Sequence, residues 1–147
     1  MSQLKDALMG ARSALHRFVF RVSSGRLLGT WGGHAVIRLT TRGRRSGRPR
    51  AVIVTAFPDG ASRIVVVASD GGASQHPAWY LNLRRDPEVE VMRGGRSERM
   101  HARTATGEER ARLWSSVTDA APAYARYQAA TDRLLPLVVL EPDGAGP

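Results

Sequence analysis

The chain has no cysteine, which removes thiolate metal centres, thiol nucleophiles and disulfides together. No apolar run approaches the roughly 20 residues that a membrane span needs, and the N-terminus lacks the unbroken apolar core of a signal peptide. A cytoplasmic location is the expectation. Acidic side chains are scarce, 13 against 22 Lys and Arg, so the net charge is +9 and the molecule should attract anions. Nucleic acid, an acidic membrane surface and a polyanionic small molecule all fit that sign. The four histidines stand at spacings that no metal motif uses, and no metal site is expected. Ser69 lacks a Gly-x-Ser-x-Gly context, and paired carboxylates are missing. The side chains that hydrolysis or acid–base catalysis would require are not visible, which points to a cofactor enzyme whose protein supplies position and field.

What is present suffices for one domain: 147 residues, 42% of them hydrophobic, can close a single core. From Ser2 to Val22 the residues Leu4, Leu8, Ala11, Leu15, Phe18 and Val22 recur at helical steps with basic residues between them. This predicts an amphipathic helix that either caps the core or touches anionic lipid. Strands are expected at Val36–Thr40, Ala51–Phe57 and Ile64–Ala68, the last two joined by a tight turn at Pro58–Ala61, and these three should form the centre of the sheet. Ser69–His76 reads as a loop too polar and glycine-rich to pack. A short helix follows, opened by Pro77 and closed before Asp86-Pro87. Glu88–Met92 and Glu98–Arg103 form a hairpin. Thr106-Gly107-Glu108-Glu109 is a capping box opening a helix with Leu113, Trp114 and Val117 on its apolar face. A helix near Pro122–Thr131 and a strand at Leu137–Leu140 complete the pattern. Six short, mostly antiparallel strands interrupted by helices suggest a small β-barrel with helical covers, with a four-stranded sheet covered on one face as its rival.

The stretch TTRGRRSGRPR, Thr40 to Arg50, holds five arginines in eleven residues between two apolar β-branched segments, so it is a turn rather than a tail. Glycines that bare backbone N–H groups beside forked guanidiniums suit phosphate or carboxylate. Nucleic-acid phosphate would fit the same side chains, although no aromatic platform is interleaved with them. Trp79 and Tyr80 adjoin the glycine loop, and Tyr124 and Tyr127, three apart, share a helix face with Arg126 between them. All can be core packers; the two later tyrosines can also line a pocket mouth.

Taken in order, TTRGRRSGRPR, VVVASDGGA, HPAWYLNL, DPEVEV, GEERARLW, YARYQAATDR and VVLEP resemble the deazaflavin-dependent nitroreductase family of actinobacteria, from about Gly32 to Pro142. The resemblance implies an α+β split β-barrel related to FMN-binding oxidases. It makes residues 1–31 the N-terminal amphipathic helix and its connection, 32–142 the deazaflavin-binding barrel and 143–147 a frayed tail. It implies hydride transfer from reduced coenzyme F420 to a quinone or nitro compound, with FMN a poorer cofactor and no nucleic-acid partner. Arg44, Arg45, Ser46 and Arg50 match the grip on the cofactor's phosphate and acidic tail. Val52 and Ile53 match the strand beside the ring. Ala68 and Ser69 match the segment approaching it, and Ala78, Trp79, Tyr80 and Asn82 its other wall. Ser69 and Tyr124 match catalytic positions, and Thr55, Tyr124 and Tyr127 the acceptor side. Some members carry tyrosine at Thr55 and at Ala121, and lysine at Asp70, so the acceptor half is only partly kept. A non-catalytic F420- or flavin-binding protein and a basic nucleic-acid-binding barrel are the rival readings, and membrane contact would run through residues 2–22.

Overall fold

The computed structural model describes residues 30, 31 and 33–143, so the expected helix at residues 2–22 and most of the expected tail lie outside the described residues. Eight strands are formed: β1 (Thr30–Trp31), β2 (His34–Arg42), β3 (Pro49–Thr55), β4 (Phe57–Asp59), β5 (Arg63–Val67), β6 (Glu88–Arg93), β7 (Arg96–Thr104) and β8 (Leu137–Pro142). Three α-helices join them, α1 (Ala78–Arg85), α2 (Gly107–Ala120) and α3 (Ala123–Ala129), with a 3-10 turn at Asp70–Gly72. Every strand pairing is antiparallel. The sheet runs β1-β2-β6-β7-β8-β5-β4, and β3 branches off by pairing with β2. Because β3 comes back beside β5 without joining its ladder, the sheet curls into an open barrel with helical covers, the expected α+β split barrel.

Alternation decides which faces are buried. On β2, Ile37, Leu39 and Thr41 are buried while Arg38 and Thr40 are only half covered. On β5 the unbroken run Ile64-Val65-Val66-Val67 is buried throughout. Ile64 and Val66 join the barrel core with Trp79, Tyr80 and Leu83 of α1, whereas Val65 and Val67 join a second core with Leu113 and Val117 of α2. β8 divides in the same way, Val138 and Leu140 against Leu137 and Val139. A strand buried on both faces cannot alternate in hydrophobicity, so the continuous runs are the physical signature of this double layer.

Several expectations need correction. The centre of the sheet is β6-β7-β8, and β3, expected there, is hydrogen-bonded on one side only among the described strands. The second expected strand breaks at Ala56, and Phe57, Pro58 and Asp59 form β4, so the turn begins at Gly60, whose φ of +72° suits a residue without Cβ. Pro77 stands just before α1 rather than inside it. Thr106 does precede α2, but its side chain makes no cap bond, and the Glu109 carboxylate is taken by Arg103 of β7, which also pairs with Glu141 of β8. The Ser69 loop packs after all, with Ser69, Gly72 and Ala73 buried.

Candidate active site

A cleft of about 1330 Å³ opens where β3, the arginine turn, the Ser69 loop, α1 and α3 converge. Its lining carries four arginines, Arg44, Arg45, Arg50 and Arg126, against one carboxylate, Asp70. The field at this cleft is therefore cationic and focused by its walls.

The arginine turn is held by its own backbone. Gly43 N–H donates to the Arg48 carbonyl and Gly47 N–H to the Gly43 carbonyl, both at 2.8 Å, while Arg48 N–H donates to Ser46 Oγ at 3.1 Å. A Cβ at Gly43 would stand 2.8 Å from Ser46 Oγ and 3.2 Å from the Arg48 carbonyl oxygen, so a larger residue would displace the Ser46 hydroxyl from the turn. One side chain ties the turn to α1. Asn82 Oδ1 accepts from both the backbone N–H and Nη1 of Arg44, each at 3.1 Å, and its Nδ2 donates to Thr41 Oγ1 at 3.1 Å. With both ends of the amide engaged and the residue 3% exposed, Asn82 fixes where the Arg44 guanidinium points.

The opposite wall is aromatic. Tyr124 packs edge-on against Phe57 at 5.7 Å and against Tyr127 at 5.4 Å between ring centroids. Burial raises the Tyr124 phenol above its ordinary value against a hydrogen bond with Thr55, with Tyr127 adding to the rise, so the hydroxyl keeps its proton through the neutral range. Ala121, at the end of α2, completes this side with a methyl group.

Ser69 and Asp70 enter the cleft from the glycine loop. Asp70 has φ +43°, the left-handed region that side chains avoid, and it is the one non-glycine residue there among the described residues. Gly72 (φ +84°) lies so close to α3 that a Cβ would meet the Tyr127 carbonyl oxygen at 2.6 Å. Arg133 grips the same loop: Nε donates to the Ala73 carbonyl at 2.7 Å, Nη1 to the Ala68 carbonyl at 3.0 Å and Nη2 to the Ser69 carbonyl at 2.7 Å. His76 Nδ1 sits 3.1 Å from Nη1 of the same guanidinium. Burial first, then Arg133 and Arg84, hold that imidazole below its ordinary value, so it is the neutral form that accepts.

Of the residues singled out from the sequence, Arg44, Arg45, Ser46, Arg50, Val52, Ile53, Thr55, Ser69, Ala78, Trp79, Asn82, Tyr124 and Tyr127 all line this cleft. Two do not. Ala68 is fully buried, and Tyr80 turns into the barrel core, where its hydroxyl hydrogen-bonds with Thr104 Oγ1 at 3.0 Å. His34 and Arg126 line the cleft without having been singled out, as do Asp70 and Ala121, marked in the sequence only as departures. Thr41 was also missed, and its signal was readable: it is the polar member of the inward series Ile37, Leu39, Thr41.

The geometry suits an elongated anion with an apolar body. A sequence model of the F420H(2)-dependent quinone reductase family matches residues 12–142. The chain belongs to that family. It is an oxidoreductase that uses reduced F420, and quinones are the acceptors of the family's reaction. F420H(2)-dependent quinone reductase Rv1261c of Mycobacterium tuberculosis is 33% identical over 135 residues, 86% of this chain and 87% of that one. A solved F420-H2 dependent reductase, FDR-A, aligns with a TM-score of 0.65 at 37% identity, covering 72% of this chain and 93% of the other. A second solved relative, a domain-swapped dimer, aligns at 0.66 and 35% identity, over 85% and 98% of the two chains.

Proposed function

We propose that Arg44, Arg45 and Arg50, with Ser46, hold the phosphodiester and glutamate carboxylates of F420, and that Val52, Ile53, Ala78 and Trp79 flank its ring system. The observation that carries this reading is the continuity of one cleft from a guanidinium fork to an apolar and aromatic wall. The residues fit the group: forked guanidiniums match phosphate and carboxylate oxygens in pairs, and about 1330 Å³ exceeds the roughly 300–1,000 Å³ of an ordinary ligand pocket. FMN, with a single terminal phosphate, would leave part of the fork unused.

Reduced F420, when bound, supplies the hydride. The chain's own residues do the rest. Tyr124 and Tyr127 hold a planar acceptor under α3, and the walls exclude water from the reacting atoms. The neutral Tyr124 phenol donates a hydrogen bond to the acceptor oxygen on which negative charge develops. Ser69, which lines the cleft, offers a second polar contact from the opposite side. With Thr55 and Ala121 where some members have tyrosine, the acceptor end is wide and poor in phenolic donors. It is therefore suited to quinones that stack, and ill suited to bulky nitroimidazoles that need walls for orientation.

Among the described residues no helix is long and apolar enough to cross a membrane. Peripheral contact of residues 2–22 with anionic lipid stays part of the proposal, carried by their pattern of basic and apolar positions. So does a cytoplasmic location.

Titration with F420 and with FMN, followed by cofactor fluorescence, tests the reading together with an assay of F420H2 consumption. F420 should bind more tightly than FMN, and a menaquinone analogue should be reduced faster than a bicyclic nitroimidazole. Equal or tighter FMN binding would overturn the cofactor assignment, and efficient nitroimidazole turnover would overturn the acceptor assignment.

A further inference from the structure

We propose that Arg133 is a positioning residue that joins the two walls of the cleft, holding the Ser69–Ala73 loop in register with the tyrosines of α3. This rests on the reading that the loop faces the reduced cofactor. Arg133 is absent from the cleft lining, so any effect it has on the reaction passes through other residues. Its guanidinium donates to three carbonyls of one short loop, those of Ala68, Ser69 and Ala73. Its backbone belongs to the other wall: the Arg133 carbonyl accepts from Gln128 Nε2 of α3 at 2.8 Å, and Gln128 Oε1 accepts from Leu135 N–H at 2.9 Å. The same α3 carries Tyr124 and Tyr127. Arg133 and Gln128 thus bridge loop and helix, while Gly72 seats directly on the Tyr127 backbone.

The loop needs such an external hold. Asp70, at φ +43°, and the adjacent Gly71 and Gly72 occupy left-handed backbone conformations closed locally by two hydrogen bonds, Gly72 N–H to the Ser69 carbonyl and Ala73 N–H to the Asp70 carbonyl, which leave the carbonyls of Ala68 and Ala73 for the guanidinium. The guanidinium is the side chain able to supply it, because its N–H groups leave one rigid plane in fixed directions and reach several acceptors at once. An ammonium in its place concentrates its donors at a point and cannot serve acceptors spread from Ala68 to Ala73. Ser69, Asp70 and Gly71 all line the cleft. A displacement of about 1 Å at a reacting site can cost about 100-fold in rate. Release of the clamp should therefore slow turnover while leaving the arginine turn, and with it the cofactor's grip, untouched.

Two variants test this, Arg133→Lys, which keeps the charge, and Arg133→Ala, assayed with and without added methylguanidinium. The first readout is amide exchange in the cofactor-free protein. Gly72 and Ala73 N–H, which close the turn onto Ser69 and Asp70, should exchange about tenfold faster or more in both variants, while Val65 and Val66 keep wild-type protection. The second is steady-state kinetics with a quinone. In Arg133→Lys kcat should fall by about 10- to 100-fold, with KM for F420H2 changed by less than about threefold. Methylguanidinium should restore part of the kcat of Arg133→Ala and none of that of Arg133→Lys. Unchanged exchange at Gly72 and Ala73 in both variants would overturn the clamp, and faster exchange with unaltered kcat would overturn its positioning role. A uniform loss of protection that includes Val65 and Val66 would reduce Arg133 to general structure. Wild-type protein that takes up no F420 would sink the functional reading instead, and selective loosening of Gly72 and Ala73 would then support the clamp alone.

Discussion

The two ends of the cleft are made rigid by different means. At the arginine end, proposed to take the anion, a contiguous stretch of eleven residues closes on itself through Gly43, Ser46, Gly47 and Arg48, and Asn82 provides the long-range tie. At the tyrosine end, proposed to take the acceptor, short local contacts are supplemented by distant ones: the Ser69 loop is held by Arg133, 64 positions away, and Tyr124 packs on Phe57, 67 positions before it. The first end presents mostly exposed charge, whereas the second has a half-buried phenol and a strained backbone at the exposed Asp70. Binding strength should therefore be lost by mutation at the first end, and stability or turnover at the second.

The largest effect should come from breaking the anion end. Arg44→Ala with Arg45→Ala should weaken F420 binding by about 3 kcal/mol, the lower range of roughly 1.5–3 for each charge-assisted contact, because both side chains are partly solvated. The melting temperature should barely move. Fluorescence titration measures the first and thermal unfolding the second; unchanged affinity would place the anion elsewhere.

Gly72→Ala attacks the other end. A Cβ 2.6 Å from the Tyr127 carbonyl, on a backbone at φ +84°, should cost about 1–3 kcal/mol in denaturant unfolding. The arginine turn should keep its affinity for inorganic phosphate or F420. Loss of F420 binding with intact stability would contradict the division of labour between the ends.

Tyr124→Phe keeps the ring contacts and removes one hydroxyl, so stability should change by about 1 kcal/mol or less. Quinone-dependent kcat should fall about tenfold or more, with KM for F420H2 unaffected. A silent variant would remove Tyr124 from the reaction.

The smallest effect concerns acid. His76 is held below its ordinary value, chiefly by burial, so in the folded state it resists a proton that the unfolded chain accepts at about pH 6.5. Its contribution to stability is present above that pH and is lost as pH falls below it, as far as the lowered folded value. Arg133 and Arg84 face the ring as like charges, and Tyr80 packs against it at 5.0 Å. Unfolding between about pH 5 and 7 should show a shallow loss in the wild type that His76→Phe reduces. An identical slope in both proteins would acquit His76.

How much of this was legible follows the same divide. The arginine turn could be read because its determinants are neighbours in sequence, and β5 and β8 because strands buried on both faces need unbroken apolar runs. The loop at Ser69 was misjudged as unpacked, since polarity and glycine content say nothing of a guanidinium 60 positions later that satisfies its carbonyls. The capping box at Thr106 failed for a related reason: Glu109 found Arg103, a partner that local spacing cannot show. β3 was placed at the centre of the sheet because Val52, Ile53 and Val54 look like a buried strand. Only Ile53 is buried there; Val52 and Val54 are half-buried, packed on the barrel core and lining the cleft, in a strand paired on one side only among the described strands.

That one-sided ladder bears on how the protein behaves in a flask. Among the described residues β3, seven residues long, pairs with β2 alone, and a strand edge without a strand partner is a template for edge-to-edge growth. In this fold the template lies inside the binding cleft, so whatever fills the cleft also shields it. F420 seated in the cleft as proposed should then also limit self-association: concentrated preparations stripped of F420 should scatter more light and sediment more broadly than loaded ones, with the difference closing on addition of cofactor.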